Sequence, residues 1–264
     1  MNYTSEDFRI QYVSTYTLYV NTDYIVDQLV VVDEDNHVMA FMSYECARPS
    51  QDAMKMLSLP FQSVYVTLPH QNLIWVPAEI FKNEGLDAFI SFFDHAEPSR
   101  IFSKSIDTLG VTALYEFDAL QANRWRNIFE EAKFIPVFEV ILNQALPQIP
   151  IQGKVLGVHS YNSKVDLFVF VDGSFRFYNS FEVATIDDLS YFVLQLFKNF
   201  GIEKKIEKII LSGADLQSEW ATCLSVYTDD LELVKSKNTW LSSSTEVVVQ
   251  TSTLNVLIDS TLCE

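Results

Sequence analysis

The sequence predicts an α/β protein made of two similar halves in tandem, each a mixed sheet flanked by helices. Three observations predict it: an internal repeat, the same order of elements after each copy, and a proline-marked boundary between the copies. The repeat sets Val26-Asp27-Gln28-Leu29-Val30-Val31-Val32-Asp33 over Val165-Asp166-Leu167-Phe168-Val169-Phe170-Val171-Asp172. Both read V-D-x-x-V-x-V-D, so Asp27 aligns with Asp166. Ser43-Tyr44-Glu45 resembles Ser180-Phe181-Glu182, two residues out of that register. The shift falls in the turn, Asp33-Glu34-Asp35-Asn36 in one copy and the tighter Asp172-Gly173-Ser174 in the other.

In the first half, Tyr16 to Val20, Ile25 to Asp33 and His37 to Glu45 read as three strands, followed by a helix near Ser50 to Leu57 and a strand at Ser63 to Leu68. Helices are predicted at Pro77 to Phe81, Leu86 to Phe93, Gln121 to Phe129 and Val137 to Leu146. The last carries Phe138, Ile141, Leu142 and Ala145 at helical spacing. It ends at Leu146-Pro147-Gln148-Ile149-Pro150, where two prolines interrupt regular structure. The predicted domains are therefore residues 1–150 and 151–264.

The second half opens with a strand at Lys154 to Ser160 and a polar turn at Tyr161-Asn162-Ser163. Val165 to Val171 and Phe175 to Glu182 form a hairpin around Asp-Gly, a strong turn signal. From Asp187, residues Leu189, Phe192, Val193, Leu196, Phe197 and Phe200 make the stripe of a helix packed on a sheet. Gly201 stands where a C-terminal cap belongs. Ile206 to Leu211 is a short apolar run suited to a buried parallel strand. In the tail Val247-Val248-Val249 reads as strand and Leu254, Leu257, Ile258 and Leu262 read as helix; a closing helix is the expectation. Three antiparallel strands, a crossover helix and a further strand, twice over, is the opening of a ribonuclease-H-like half in duplicate.

Hydrophobic residues at 48% and charged residues at 20% give the balance of a folded chain rather than a disordered one. Eighteen basic against 35 acidic residues leave a formal charge of −17, which disfavours nucleic acid and anionic membrane surfaces as partners. The one modest basic cluster, Glu203-Lys204-Lys205-Ile206-Glu207-Lys208, is interrupted by glutamates and reads as a solvated segment. Cys46, Cys223 and Cys263 form no C-x-x-C pair, which fits a reducing compartment. The N-terminal residues are polar and acidic, and no apolar stretch reaches membrane-span length. A cytoplasmic protein is expected.

Leu73-Ile74-Trp75-Val76-Pro77-Ala78-Glu79-Ile80-Phe81, Leu211-Ser212-Gly213-Ala214-Asp215-Leu216 and the ending Leu262-Cys263-Glu264 carry a resemblance. With the tandem halves, they are similar to an uncharacterised bacterial family with the actin-like ATPase fold. Cytoplasmic modules of pilus-assembly and type II secretion systems are more distantly similar, and those work largely by binding other proteins. The resemblance implies ATP held in a cleft between the halves, with the phosphates wrapped by two hairpin loops. Such loops typically read D-x-G-x-x-[ST/Q] and D-x-G-G-G-T, because backbone N–H groups must approach phosphate closely and aspartates arrange Mg²⁺.

Here the loops are Val20-Asn21-Thr22-Asp23-Tyr24 and His159-Ser160-Tyr161-Asn162-Ser163-Lys164, and neither contains glycine. The expectation is a pseudo-ATPase with no cofactor, a protein-interaction or scaffold module that binds a partner or a second copy of itself. The alternative is a divergent ATPase or nucleotide switch using ATP with Mg²⁺ in the cleft. Its binding residues would be Thr22, Asp23, Asn162 and Ser163 in the loops, with Ser212 and Gly213 at a turn faintly like the one that receives adenosine. The same Ser212-Gly213 also reads as a plain strand end.

No catalytic or metal-binding residues are identified. Asp27 with Asp33, and Asp166 with Asp172, are spaced too far along a strand to share a metal, and read as markers of strand ends. His37, His70, His95 and His159 show no ligand spacing; His37 and His70 read as exposed loop residues. His159 beside Ser160 lacks a recognisable orienting acid. Trp125 with Ile128 and Phe129 fits one buried helical face, while any exposed tryptophan could anchor a partner.

Overall fold

The computed structural model describes residues 1–22, 24–93, 97–161 and 164–263, the last without its side chain. Asp23, His95, Asn162 and Ser163 lie outside the described residues. The chain divides into two compact units. The first holds Met1–Val140, Asn238–Val249 and Leu257–Glu264; the second holds Ile141–Lys237 and Gln250–Val256. This division falls ten residues before the boundary after Pro150 that the sequence marks, and the tail is shared between the units rather than belonging to the second alone.

The first unit begins with strands β1 (Asn2–Thr4), β2 (Thr17–Thr22), β3 (Val26–Val32) and β4 (Val38–Glu45). Helix α1 (Gln51–Leu57) follows, capped by the Ser50 hydroxyl, which accepts from the Ala53 amide. Then come β5 (Ser63–Leu68), β6 (His70–Pro77), α2 (Ala78–Glu84), β7 (Phe102–Ile106), β8 (Val111–Phe117), α3 (Ala119–Ile128), β9 (Lys133–Pro136) and α4 (Val137–Ala145), which contains the division between units. A six-stranded sheet runs β1-β4-β3-β2-β5-β9, and a three-stranded sheet runs β6-β8-β7. Burial continues through successive residues of β3 and β4, so both faces of that sheet are covered. Trp125 of α3 is fully buried, as the core reading expects, but Ile128 is exposed and Phe129 is the partly buried C-cap residue, so the three do not form one buried face.

The second unit contains β10 (Lys154–Tyr161), β11 (Lys164–Val171), β12 (Ser174–Glu182), α5 (Ile186–Asn199), β13 (Lys208–Ser212), α6 (Glu219–Leu224) and β14 (Leu231–Leu233). Its sheet runs β12-β11-β10-β13-β14. One face is sealed by α5, whose Leu189, Val193, Leu196 and Phe197 join Leu156, Val158, Leu167 and Ile209 in one cluster. Thr185 and Asp188 cap that helix reciprocally. Asp172 and Gly173 adopt φ of 51° and 71°, the pair of left-handed residues that a tight two-residue hairpin requires. The tail adds α7 (Thr245–Ser252) and α8 (Asn255–Ile258).

Set side by side, the two sheets share one order once β1 is removed. Each runs third strand, second, first, fourth, fifth, with the first three antiparallel and the last two parallel to the first. Each also carries a bulge where the third strand pairs with the second, between Val31 and Val32 in one and Val169 and Phe170 in the other. The duplication read from V-D-x-x-V-x-V-D is therefore present in the topology.

Several expectations need correction. Leu86 to Phe93 is not one helix but two short 3-10 turns, Leu86–Ala88 and Ile90–Phe92, seated by Phe89 and Ile90 against Val76, Phe93, Ile101 and Leu114. The separate sheet β6-β8-β7 is absent from the sequence reading. His70 starts β6 and is buried, with its ring against Phe138, because that strand turns it inward; His37 is exposed, as read. Val247-Val248-Val249 lies in α7, not in a strand.

Candidate functional site

Asp27 and Asp166 do more than mark strand ends. Both are buried, at 2% and 0% exposure, and each gathers several hydrogen bonds. A buried carboxylate is tolerated only when paired or saturated with donors. The two units meet that demand differently.

In the first unit Asp27 stands on β3 between its cross-strand partners Thr22 of β2 and Tyr44 of β4. Thr22 Oγ1 donates to Asp27 Oδ1 at 2.6 Å, and Cys46 Sγ donates to the same oxygen at 3.2 Å. Arg124, from α3, sets one guanidinium nitrogen 2.5 Å and 2.6 Å from the two carboxylate oxygens. Burial works against the Arg124 charge, but bonds to Asp27 and Cys46 outweigh it and raise its pKa. Burial, helped by Asp27, pushes the Cys46 thiol up to about 11 and the Tyr44 hydroxyl well above its ordinary range. Cys46 is thus a protonated donor, not a nucleophile.

In the second unit Asp166 is saturated by hydroxyls. Tyr161 donates at 2.9 Å and Tyr178 at 2.7 Å, and Ser180 makes a further short bond. Burial and the neighbouring carboxylate raise the Tyr178 pKa well above normal, which keeps it a donor. Ser180, Asp166, His159 and Ser212 are successive cross-strand partners on β12, β11, β10 and β13, so they form one polar row across four strands.

The row continues into the tail. His159 Nδ1 lies 2.8 Å from Ser212 Oγ, and Asn255 of α8 donates from Nδ2 to the same oxygen at 2.8 Å. Asn255 Oδ1 accepts from the Gly213 amide at 3.3 Å, and Nδ2 also donates to Gln144 Oε1 at 2.7 Å. Gln144 returns a bond to the Asn255 carbonyl at 2.9 Å. Gly213 has φ +78°, and a Cβ there would sit 2.2 Å from the Ser160 carbonyl oxygen and 3.1 Å from the His159 ring. Glycine is needed because the chain itself presses on this turn.

Burial lowers the His159 pKa to about 4 against the opposing pull of Asp166, so the imidazole is neutral near pH 7. Among the described residues no carboxylate is hydrogen-bonded to His159, so its contact with buried Ser212 lacks the orienting acid of a nucleophile–base pair. The Tyr161 ring stacks on His159, with centroids 5.3 Å apart.

Of the six residues named for nucleotide binding, Thr22 is buried against Asp27, and Ser212 and Gly213 are held together by Asn255. Asp23, Asn162 and Ser163 lie outside the described residues. Arg124, Gln144 and Asn255 were missed, because their partners are remote in sequence. The signal that could have found the two aspartates was in view: each opens an apolar strand, in both copies of the repeat.

Away from this network, Asp33, Asp35 and His37 bring ligand atoms within 4.8 Å of one another. Asp33 Oδ1 already accepts from the Asp35 and His37 amides, which makes this group a hairpin turn. Among the described residues no helix is long and apolar enough to cross a membrane.

A family model described as "Protein of unknown function (DUF3822)" matches residues 17–228. No curated protein matches the chain. The crystal structure of a Bacteroides thetaiotaomicron protein with an actin-like ATPase fold and unknown function is similar over 86% of this chain and 93% of its own. Identity is 14% and the TM-score 0.66. The PilM–PilN type IV pilus biogenesis complex contains a chain similar over 93% of this one and 97% of its own, with 13% identity and a TM-score of 0.61. At these identities the likeness shows the fold, which is the actin-like ATPase fold expected from the repeat.

Proposed function

We propose that this chain, which belongs to the DUF3822 family of proteins of unknown function, is a non-catalytic protein-interaction module on an actin-like ATPase fold. The observation that carries the proposal is the occupation of the Ser212–Gly213 turn by Asn255. The Gly213 amide and the Ser212 hydroxyl, the groups that would greet a nucleotide there, are bonded to a side chain of the protein.

Further support comes from the loops. Glycine is missing from both hairpin tips, and the Thr22 hydroxyl is committed to Asp27. The Asp27 charge is met by Arg124, so it is in no position to arrange the waters of a magnesium ion. A fold kept while its phosphate-binding features are lost fits a surface put to another use, since a fold carries no fixed function. That a similar chain is solved in the PilM–PilN complex supports binding of protein as that use.

Titration calorimetry of the full chain with Mg-ATP tests the proposal. No heat beyond dilution is expected. A micromolar, magnesium-dependent signal would overturn it and return the chain to the nucleotide switches.

A further inference from the structure

The duplicated sheets differ at one edge. In the first unit the third strand, β4, is covered by β1, with Asn2, Tyr3 and Thr4 paired to Met42, Phe41 and Ala40. Its counterpart in the second unit is β12, nine residues long, and among the described residues it pairs with β11 alone. A long bare edge is a template for another strand, and natural proteins seldom leave one unguarded.

The sequence of β12 is complementary to itself. Centred on Asn179 and run antiparallel against a second copy, it sets Phe177 opposite Phe181 and Tyr178 opposite Ser180, twice each by symmetry. One place beyond this ladder, Arg176 meets the second copy's Glu182. Arg176 is the extra residue of the bulge, and it, Asn179 and Glu182 are all exposed. Arg176 and Glu182 make no ion pair among the described residues. Edge charges of one sign would repel a second copy, whereas this arrangement pairs opposite signs at both ends.

The ground beside Glu182 is shaped for a cation. A hollow of about 460 Å³ is lined by Glu182, Val183, Ala184, Asp188, Tyr191 and Phe192. Two rings and the Glu182 carboxylate stand around it, with Asp188, engaged in capping α5, on the same wall. Phe192 packs on Phe181 at 4.4 Å between centroids, and Tyr191 is 58% exposed, as is Leu194 at 53%. A guanidinium arriving there finds the Glu182 carboxylate and aromatic faces together.

We infer that β12 pairs antiparallel with β12 of a second copy of this chain about a two-fold axis at Asn179, joining two five-stranded sheets into one. Such an interface is isologous, so each favourable contact occurs twice. This inference rests on the interaction-module reading and names its partner.

Sedimentation equilibrium of the full chain over a concentration series tests it. A dimer is expected, with Arg176→Glu and Glu182→Arg each weakening it about tenfold, since each replaces two attractive cross-strand pairs with two repulsive ones. The double variant restores the dimer. Asn179→Cys supplies an independent reading: self-opposed residues in an antiparallel pair lie within reach of a disulfide, so this variant oxidises rapidly to a covalent dimer, whereas Ser174→Cys does not. A monomer throughout the series, single variants that dimerise as the parent does, or failure of Asn179→Cys to cross-link would overturn self-pairing. Those outcomes leave the wider interaction reading standing, which Mg-ATP calorimetry decides separately.

Discussion

Asp27 and Asp166 occupy equivalent places on the second strand of the two sheets, yet Asp27 meets a guanidinium while Asp166 meets three hydroxyls. Both buried carboxylates accept from hydroxyls, Thr22 among them in the first unit, and they differ in the counter-charge that Arg124 brings to Asp27. The two solutions differ in how they should fail.

Removing Arg124 leaves Asp27 buried beside neutral donors only. Arg124→Met should destabilise the chain by about 3 kcal/mol, because a buried charge stripped of its counter-charge is expensive. The double variant Asp27→Asn with Arg124→Met should regain much of that loss. Urea unfolding of the three chains measures both effects, and equal losses in the single and double variants would contradict this reading.

His159 makes stability depend on pH. Its folded pKa of about 4 lies below the ordinary 6.5, so the unfolded chain takes the proton first as pH falls. Its contribution is therefore complete above pH 6.5 and is lost progressively on the way down to about 4, amounting to about 3 kcal/mol. Unfolding curves for the parent and His159→Gln across that window should diverge, the variant having the shallower dependence.

Gly213 and Gly201 both have positive φ, but only Gly213 is crowded. Gly201→Ala should cost about 1 kcal/mol, the strain of a left-handed alanine. Gly213→Ala adds a Cβ that would meet the Ser160 carbonyl at 2.2 Å, so its melting temperature should fall well below that of Gly201→Ala. Thermal melts followed by circular dichroism compare them.

Gly157 makes room for an aromatic ring. A Cβ at this position would fall 1.9 Å from the Phe168 side chain, which itself stacks on Tyr178. Gly157→Ala should lose about 2 to 3 kcal/mol through overpacking, and Phe168→Leu in the same chain should relieve part of it. If the second substitution adds its own full penalty instead, the clash is not the cause.

What could be read in advance follows from how local each signal is. The strands around Asp27 and Asp166 declared themselves because an apolar run and an Asp-Gly turn are local patterns, and repetition doubled the signal. Helix α5 was legible for the same reason, with its stripe and its Gly201 end. Strands β6, β7 and β8 were not: β7 and β8 form a hairpin without an Asp-Gly or Asn-Gly turn to announce it, Lys104 against Ala113, and β6 joins them only across a long separation, Val76 against Thr112. The pairing of Arg124 with Asp27 and of Asn255 with Gly213 leaves no local trace either. Absent glycines at the loop tips could be counted from the sequence; an asparagine filling the turn could not.

The Asn255 contact has a consequence in solution. Because this side chain is tethered, its concentration at the Gly213 amide stays on the order of millimolar or above however dilute the protein becomes. Any small molecule seeking that amide competes with an occupant that cannot diffuse away, so dilution favours the protein's own side chain every time.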